Sequence, residues 1–217
     1  MSGFRGSTVT IVMALMLAPV FSLGQSSPGQ TGARHEFLKK LVDAAVEQTR
    51  HVVRYDSEYV RIPYPGGDVP ADTGVCADVV IRAYRAAGVD LQKEVHEDMK
   101  RHFSQYPAEE EWGQRHPDAS IDHRRVPNLM AFFSRHGEVL SISNQAGDYA
   151  PGDLVTWDIA ANLPHIGIVV DQKSASGRYL IVHNIGQGPQ KEDVLFGWKI
   201  TGHYRYFGPE QKQDQVQ

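Results

Sequence analysis

Residues 151–183 read PGDLVTWDIAANLPHIGIVVDQKSASGRYLIVH, and the period of this stretch decides the fold. Leu154-Val155-Thr156-Trp157, His165-Ile166-Gly167-Ile168-Val169-Val170 and Tyr179-Leu180-Ile181-Val182-His183 are short runs rich in β-branched and aromatic residues. Pro151-Gly152-Asp153, Asn162-Leu163-Pro164 and Ser174-Ala175-Ser176-Gly177 punctuate them. Runs so bounded are strand candidates. A further strand is expected over residues 198–207. Upstream the period is helical. Phe37, Leu38, Leu41, Ala44, Ala45, Val52 and Val53 place a helix over residues 36–55. Val79, Val80, Ala83 and Tyr84 place another over residues 76–87, stopped by Gly88. Asp90 can cap a third that carries Leu91, Val95, Met99 and Phe103. A short helix over residues 127–135 ends before Gly137. Helices first and strands second predict an α+β fold with an antiparallel sheet.

Between the first two helices, residues 61–70 read RIPYPGGDVP, whose prolines and paired glycines forbid regular structure and make a shaped loop. Just beyond it stands Cys76, the one cysteine of the chain, where a polar, glycine-containing segment runs into a helix. A helix start offers unpaired N–H groups and partial positive charge, which favour a thiolate. A nucleophilic thiol also needs a base. His165 opens one strand and His183 closes the next, so in an antiparallel pair both rings reach the same end of the sheet. One can take the proton of the thiol and the other can orient the first. The remaining histidines of the ten lie in polar or helical contexts without a partner pattern.

Other chemistries find less support. His165, His183, Asp158 and Asp171 lack the close ligand spacing of zinc sites such as H-E-x-x-H, so no metal and no cofactor is expected. No G-x-S-x-G elbow announces a serine hydrolase. A formal net charge of −4 leaves no basic footprint for nucleic acid. Glu109-Glu110-Glu111 reads as a solvated turn, and Arg124-Arg125 as a solvated helix start that could otherwise bind a peptide carboxylate.

The chain begins with the layout of a secretory signal peptide: Arg5, an apolar run over residues 10–21, then small and polar residues. That run is shorter than the roughly 20 residues a membrane helix needs. The organisation expected is a signal peptide over residues 1–24, a mobile leader over 25–35, a single domain over 36–208 and a polar tail over 209–217. The destination is the periplasm or the exterior, with no membrane span after cleavage. In an exported protein an unpaired cysteine suits chemistry better than a disulfide. Apolar residues make up 41% of the chain, enough for a core that needs no disulfide.

Taken in order, Tyr64-Pro65-Gly66-Gly67, Cys76 at a helix start, Gly152-Asp153-Leu154-Val155-Thr156-Trp157, His165-Ile166-Gly167-Ile168-Val169 and Ile181-Val182-His183 resemble the NlpC-type cell-wall peptidases. These are papain-like cysteine hydrolases. The span from Lys40 to Phe207 is similar to the exported bacterial domain-of-unknown-function family 1287 of the same clan. The resemblance implies that Cys76 is the nucleophile, His165 the general base and acid, and His183 the orienting third residue, with Asn184 as the alternative. It implies that Tyr64 and the Cys76 N–H support the oxyanion, with Asp78 in the same substrate-facing set, and that Gly152 and Asp153 form a structural turn. The implied reaction is hydrolysis of an amide in a peptide of the cell wall. A silent wall-peptide-binding module on the same fold and an acyltransferase or esterase of the clan are the alternatives. The chain departs from that pattern at Val75-Cys76-Ala77-Asp78, where the peptidases carry Asp-Cys-Ser-Gly, and in its long charged segment over residues 89–147.

Overall fold

The computed structural model describes residues 28–160 and 163–209 together with Met1 and Gly3. The signal-peptide reading therefore lies outside the described residues, as does the polar tail apart from Pro209. Among the described residues no helix is long and apolar enough to cross a membrane.

The first helix, α1 (Pro28–Gln48), starts earlier and ends earlier than its period suggests. Pro28 suits a first helical turn because its fixed φ is already helical, and the turns that follow take in residues assigned above to a mobile leader. Arg34 fastens that part of the helix, by an ion pair to Glu138 and by its guanidinium lying 4.4 Å from the ring centre of Phe207. At the other end Val52 and Val53 do not continue the helix. The chain turns at Thr49–His51 and enters β1 (Arg54–Tyr55), which pairs in parallel with β2 (Thr73–Gly74). These two short strands deliver the chain to α2 (Cys76–Ala86). Asp90 caps α3 (Leu91–His102) by accepting the Lys93 N–H, as expected. The expected turn at Glu109–Glu111 is instead a short helix, α4 (Ala108–Trp112), and α5 (Val126–His136) follows.

The strands are β3 (Glu138–Val139), β4 (Leu154–Asp158), β5 (Pro164–Lys173), β6 (Tyr179–Asn184), β7 (Pro189–Glu192) and β8 (Lys199–Arg205). They form one antiparallel sheet in the order β3-β8-β4-β5-β6-β7. The fold is α+β. Successive side chains of a strand point to opposite faces, and here each face has its own core. Leu154, Ile166, Ile168, Val170 and Val182 pack against Val79, Val80 and Tyr84 of α2, Leu41 of α1 and Phe133 of α5. Val155, Trp157, Val169 and Ile181 pack on the other face with Tyr149 and Leu195. Trp157 buries its ring there and donates its indole N–H to the Leu195 carbonyl at 2.9 Å. Side chains of this size gain roughly 1.5–3 kcal/mol each on full burial, so the two cores fix the sheet against α2 and set where the helix begins.

Asp153 is structural, as the turn it lies in suggests. It is fully buried and accepts from the Ala150 N–H, His203 and Arg205.

Candidate active site

Cys76 is the first residue of α2 and is 6% exposed. Its sulfur meets the backbone N–H groups of Ile166 and Ala77 and its own N–H. Ile166 precedes the point at which β5 and β6 pair, from Ile168 opposite Val182 onward. The thiol thus touches β5 at its backbone, beside His165. The N–H groups favour the anion, but burial disfavours it more strongly and pushes the thiol up to about 11. The low thiol pKa expected from a helix start is therefore corrected: here desolvation outweighs the helix end.

His165 and His183 stand with Val169 and Ile181 by strand period, on the sheet face away from α2. Their ring centres lie 5.9 and 6.0 Å from that of Trp198. His165 Nε2 is 2.8 Å from His183 Nδ1, and His183 Nε2 is 2.8 Å from Glu192 Oε2. Glu192, on β7, escapes sequence reading because its polar strand carries no period. The three groups fix the tautomers. A carboxylate only accepts, so His183 donates from Nε2; its neutral ring then accepts at Nδ1; His165 must donate from Nε2, which leaves His165 Nδ1 bare. Burial holds His165 down at about 3 and also lowers His183, so both are neutral at pH 7. Gly167 makes room for this pair, since a Cβ there would lie 3.2 Å from His183 Cβ and 2.6 Å from Ile181 Cγ2.

Cys76 opens on a cleft of about 950 Å³ lined also by Tyr55, Trp112, Arg124, Arg125, Trp157 and Pro164. Pro164 precedes His165, and Trp157 is its register partner on β4. His165 itself is not among the residues lining the cleft, although these two neighbours are, and no hydrogen bond joins its ring to Cys76 Sγ. Among the described residues, no three His, Cys, Asp or Glu side chains gather as a metal site.

Three sequence assignments change. Tyr64 is not among the residues lining the cleft. Its hydroxyl donates to Glu97 Oε1 at 2.7 Å, and its ring packs edge-on against His96. The tyrosine at the thiol is Tyr55, whose hydroxyl is pushed up by burial first and by Cys76 next. Its place in β1, misread as helix, hid it. Asp78 is not among the residues lining the cleft. It accepts the Val75 N–H at 2.7 Å and holds the Arg124 guanidinium at 2.9 and 3.0 Å, with both side chains buried. Two helical steps turn a side chain by about 200°, which carries Asp78 off the Cys76 face. Arg124 is accordingly buried in an ion pair, not solvated. It also donates to the Glu58 and Asp56 carbonyls and so ties the chain beyond Tyr55 to α2. Asn184 donates to the Gly74 carbonyl and accepts the Gly186 N–H. It braces the approach to Cys76, and His183 alone is hydrogen-bonded to His165.

Comparison with known proteins adds relatives to this geometry. The solved structure of NlpC1 from Trichomonas vaginalis aligns at 15% identity with a TM-score of 0.43, over 78% of this chain and 44% of that one, so this chain spans less than half of that protein. A protein of Escherichia coli bearing the name "Uncharacterized protein YijF" is 52% identical over 167 residues, covering 77% of this chain and 80% of that protein. The family described as "Domain of unknown function (DUF1287)" matches residues 42–206, a span that takes in Cys76, both histidines and Glu192. By that match and that identity, the chain belongs to the DUF1287 family.

Proposed function

We propose that this protein is an exported, papain-like cysteine hydrolase that cleaves an amide bond in a peptide of the cell wall. The observation that carries the reading is the placement of an otherwise unpaired thiol at a helix start, in a cleft, beside a strand whose first histidine heads a His–His–Glu relay. At rest both thiol and imidazole are neutral. With substrate in the cleft, Cys76 Sγ attacks the carbonyl carbon and its proton passes to His165 Nδ1, a hydrogen bond of the kind that often forms only in the substrate complex. The Cys76 N–H and the Tyr55 hydroxyl meet the oxyanion. The intermediate collapses with loss of the amine, which takes the proton from His165. Water, activated by the same nitrogen, then releases the acid and frees the thiol. His183 and Glu192 hold the His165 tautomer.

The high thiol pKa favours a second reading, a binding module for the same peptides that turns nothing over. Mass analysis of wall fragments after incubation separates the two. Cleavage by the wild type that is lost in Cys76→Ser supports the hydrolase. Fragments that bind but stay intact support the module. Cleavage that survives Cys76→Ser sinks the thiol mechanism.

A further inference from the structure

The cleft holds two arginines in different states. Arg124 is spent on Asp78. Arg125, at the start of α5, is in no ion pair among the described residues. Its guanidinium lies 4.0 Å from the ring centre of Trp112, and its Nη1 donates to Gln114 Oε1. Gln114 is itself held, since its Nε2 donates to Asp122 at 2.7 Å and to the His116 carbonyl at 2.8 Å. The acidic groups that act on Arg125 are Asp122 and Asp118, and both have other partners. Asp122 accepts from Gln114 and from the Asp118 N–H, and Asp118 accepts from Tyr59 and the Ser120 N–H. Partial burial draws the Arg125 guanidinium down from its ordinary value by more than Asp122 and Asp118 hold it up. Stacked on one face and tethered through one nitrogen, the fork is fixed in orientation and keeps Nε and Nη2 without a hydrogen-bond partner among the described residues. That is the geometry in which arginine takes a carboxylate through two parallel bonds.

We infer that Arg125, braced on Trp112 and Gln114, is the anchor for a carboxylate group of the ligand that occupies the Cys76 cleft. The substrate class is thereby narrowed to peptides with a free carboxylate near the reacting amide, whether at the chain end or on a side chain. The inference rests on the proposed function only in taking this cleft as the binding site, and it needs no turnover.

The test uses the full chain with Cys76→Ala, so that no probe is consumed. N-acetyl-alanyl-alanine, its C-terminal carboxamide, and N-acetyl-glutamate α-amide with its side-chain amide counterpart are titrated. The indole N–H resonances report binding, with Trp112 assigned through Trp112→Phe. At least one carboxylate is expected to bind about tenfold or more tighter than its amide, charged hydrogen bonds being about twice as strong as neutral ones. The two pairs tell a chain-end carboxylate from a side-chain one. Arg125→Gln should abolish the preference and Arg125→Lys should keep part of it, with circular dichroism showing all variants folded. Equal affinity for acid and amide, no binding of any probe, or an undiminished preference in Arg125→Gln overturns the inference. A protein that cleaves nothing yet keeps the preference refutes the hydrolase and leaves the anchor standing. One that cleaves without the preference does the reverse.

Discussion

His165 Nε2 lies 2.8 Å from His183 Nδ1 with the ring planes 83° apart, although the two residues are not opposite one another in the sheet. The pairing of Ile168 with Val182 sets Gly167 across from His183, so the two rings meet on the diagonal. Diagonal neighbours are normally about 7–8 Å apart and touch only through long or aromatic side chains. The gap at Gly167 and the pull of Glu192 on the far nitrogen let His183 span that distance. The sheet register thus sets which nitrogen of His165 stays bare.

Loss of relay members should therefore be graded. On the proposed mechanism His165→Ala removes the group that moves protons, and general acid–base catalysis contributes about 10²–10⁴-fold. His183→Asn should keep a measurable remnant, because the thiol and base survive. Glu192→Gln should cost least, about tenfold or less, because its side chain is 46% exposed and water can replace it. Rates on a wall-peptide substrate, with circular dichroism as a folding control, give the order. A Glu192→Gln variant as dead as His165→Ala would overturn this order and show that water does not replace the carboxylate.

The thiol offers a check that needs no substrate. With Cys76 pushed up to about 11 by burial, the thiolate is scarce at pH 7. Alkylation by iodoacetamide should be slower at pH 7 than that of an ordinary thiol of pKa near 8.5, and it should still be rising above pH 9. The unfolded chain, measured alongside, should follow the ordinary profile. A fast plateau below pH 7 would mean that thiolate and imidazolium already form at rest.

The sequence carries the parts of this fold whose signal is local. Strands β4 to β6 announce themselves by β-branched runs, and α2 by Val79, Val80, Ala83 and Tyr84. Cys76, His165 and His183 follow from those elements and their antiparallel order. What stays hidden depends on distant partners. Arg54–Tyr55 is a strand only because Thr73–Gly74 lies alongside, so Tyr55 is taken for the end of a helix. Pro189–Glu192 is a polar strand held by β6, so Glu192 goes unseen. Tyr64 is chosen through the resemblance of Tyr64-Pro65-Gly66-Gly67 to a family motif, yet its hydroxyl is held by Glu97 on α3. Asp78 is near Cys76, but its carboxylate is taken up by Arg124, which lies 46 residues further along the chain.

The buried pair Asp78–Arg124 should behave as one unit. Removing either partner leaves an uncompensated buried charge, at about 3–5 kcal/mol, so Asp78→Asn and Arg124→Met are each expected to be strongly destabilised in urea. The double variant should lose less than the sum of the two, because no lone charge remains. Additive losses would show that the two groups do not depend on each other.

Acid should weaken the fold through its buried histidines. Burial lowers His165 and His123 to about 3 and lowers His183 as well. In the unfolded chain each takes a proton near 6.5. Between pH 6.5 and about 3 the unfolded state therefore binds more protons, so stability rises with pH in that window, is complete above it and is lost as pH falls. The slope approaches about 1.4 kcal/mol per pH unit for each histidine. Two carboxylates also contribute. Asp98 is held well below the carboxylate range: burial opposes this, but hydrogen bonds from Arg135, Tyr106 and His136 prevail. Its stabilisation is lost only below the unfolded carboxylate value near 3.9. Asp122 is raised by burial, so it stabilises most in acid and offsets part of the loss at the low end of the window. The melting temperature should accordingly fall from pH 7 to pH 5 before either carboxylate dominates. His123 identifies the cause. Its Nδ1 is buried without a partner among the described residues, so His123→Phe removes a titrating group and an unmet hydrogen bond together. That variant should show a shallower decline than the wild type while melting at least as high at pH 7. A wild-type melting temperature that stays flat between pH 7 and pH 5 would show that these rings accept protons within the fold.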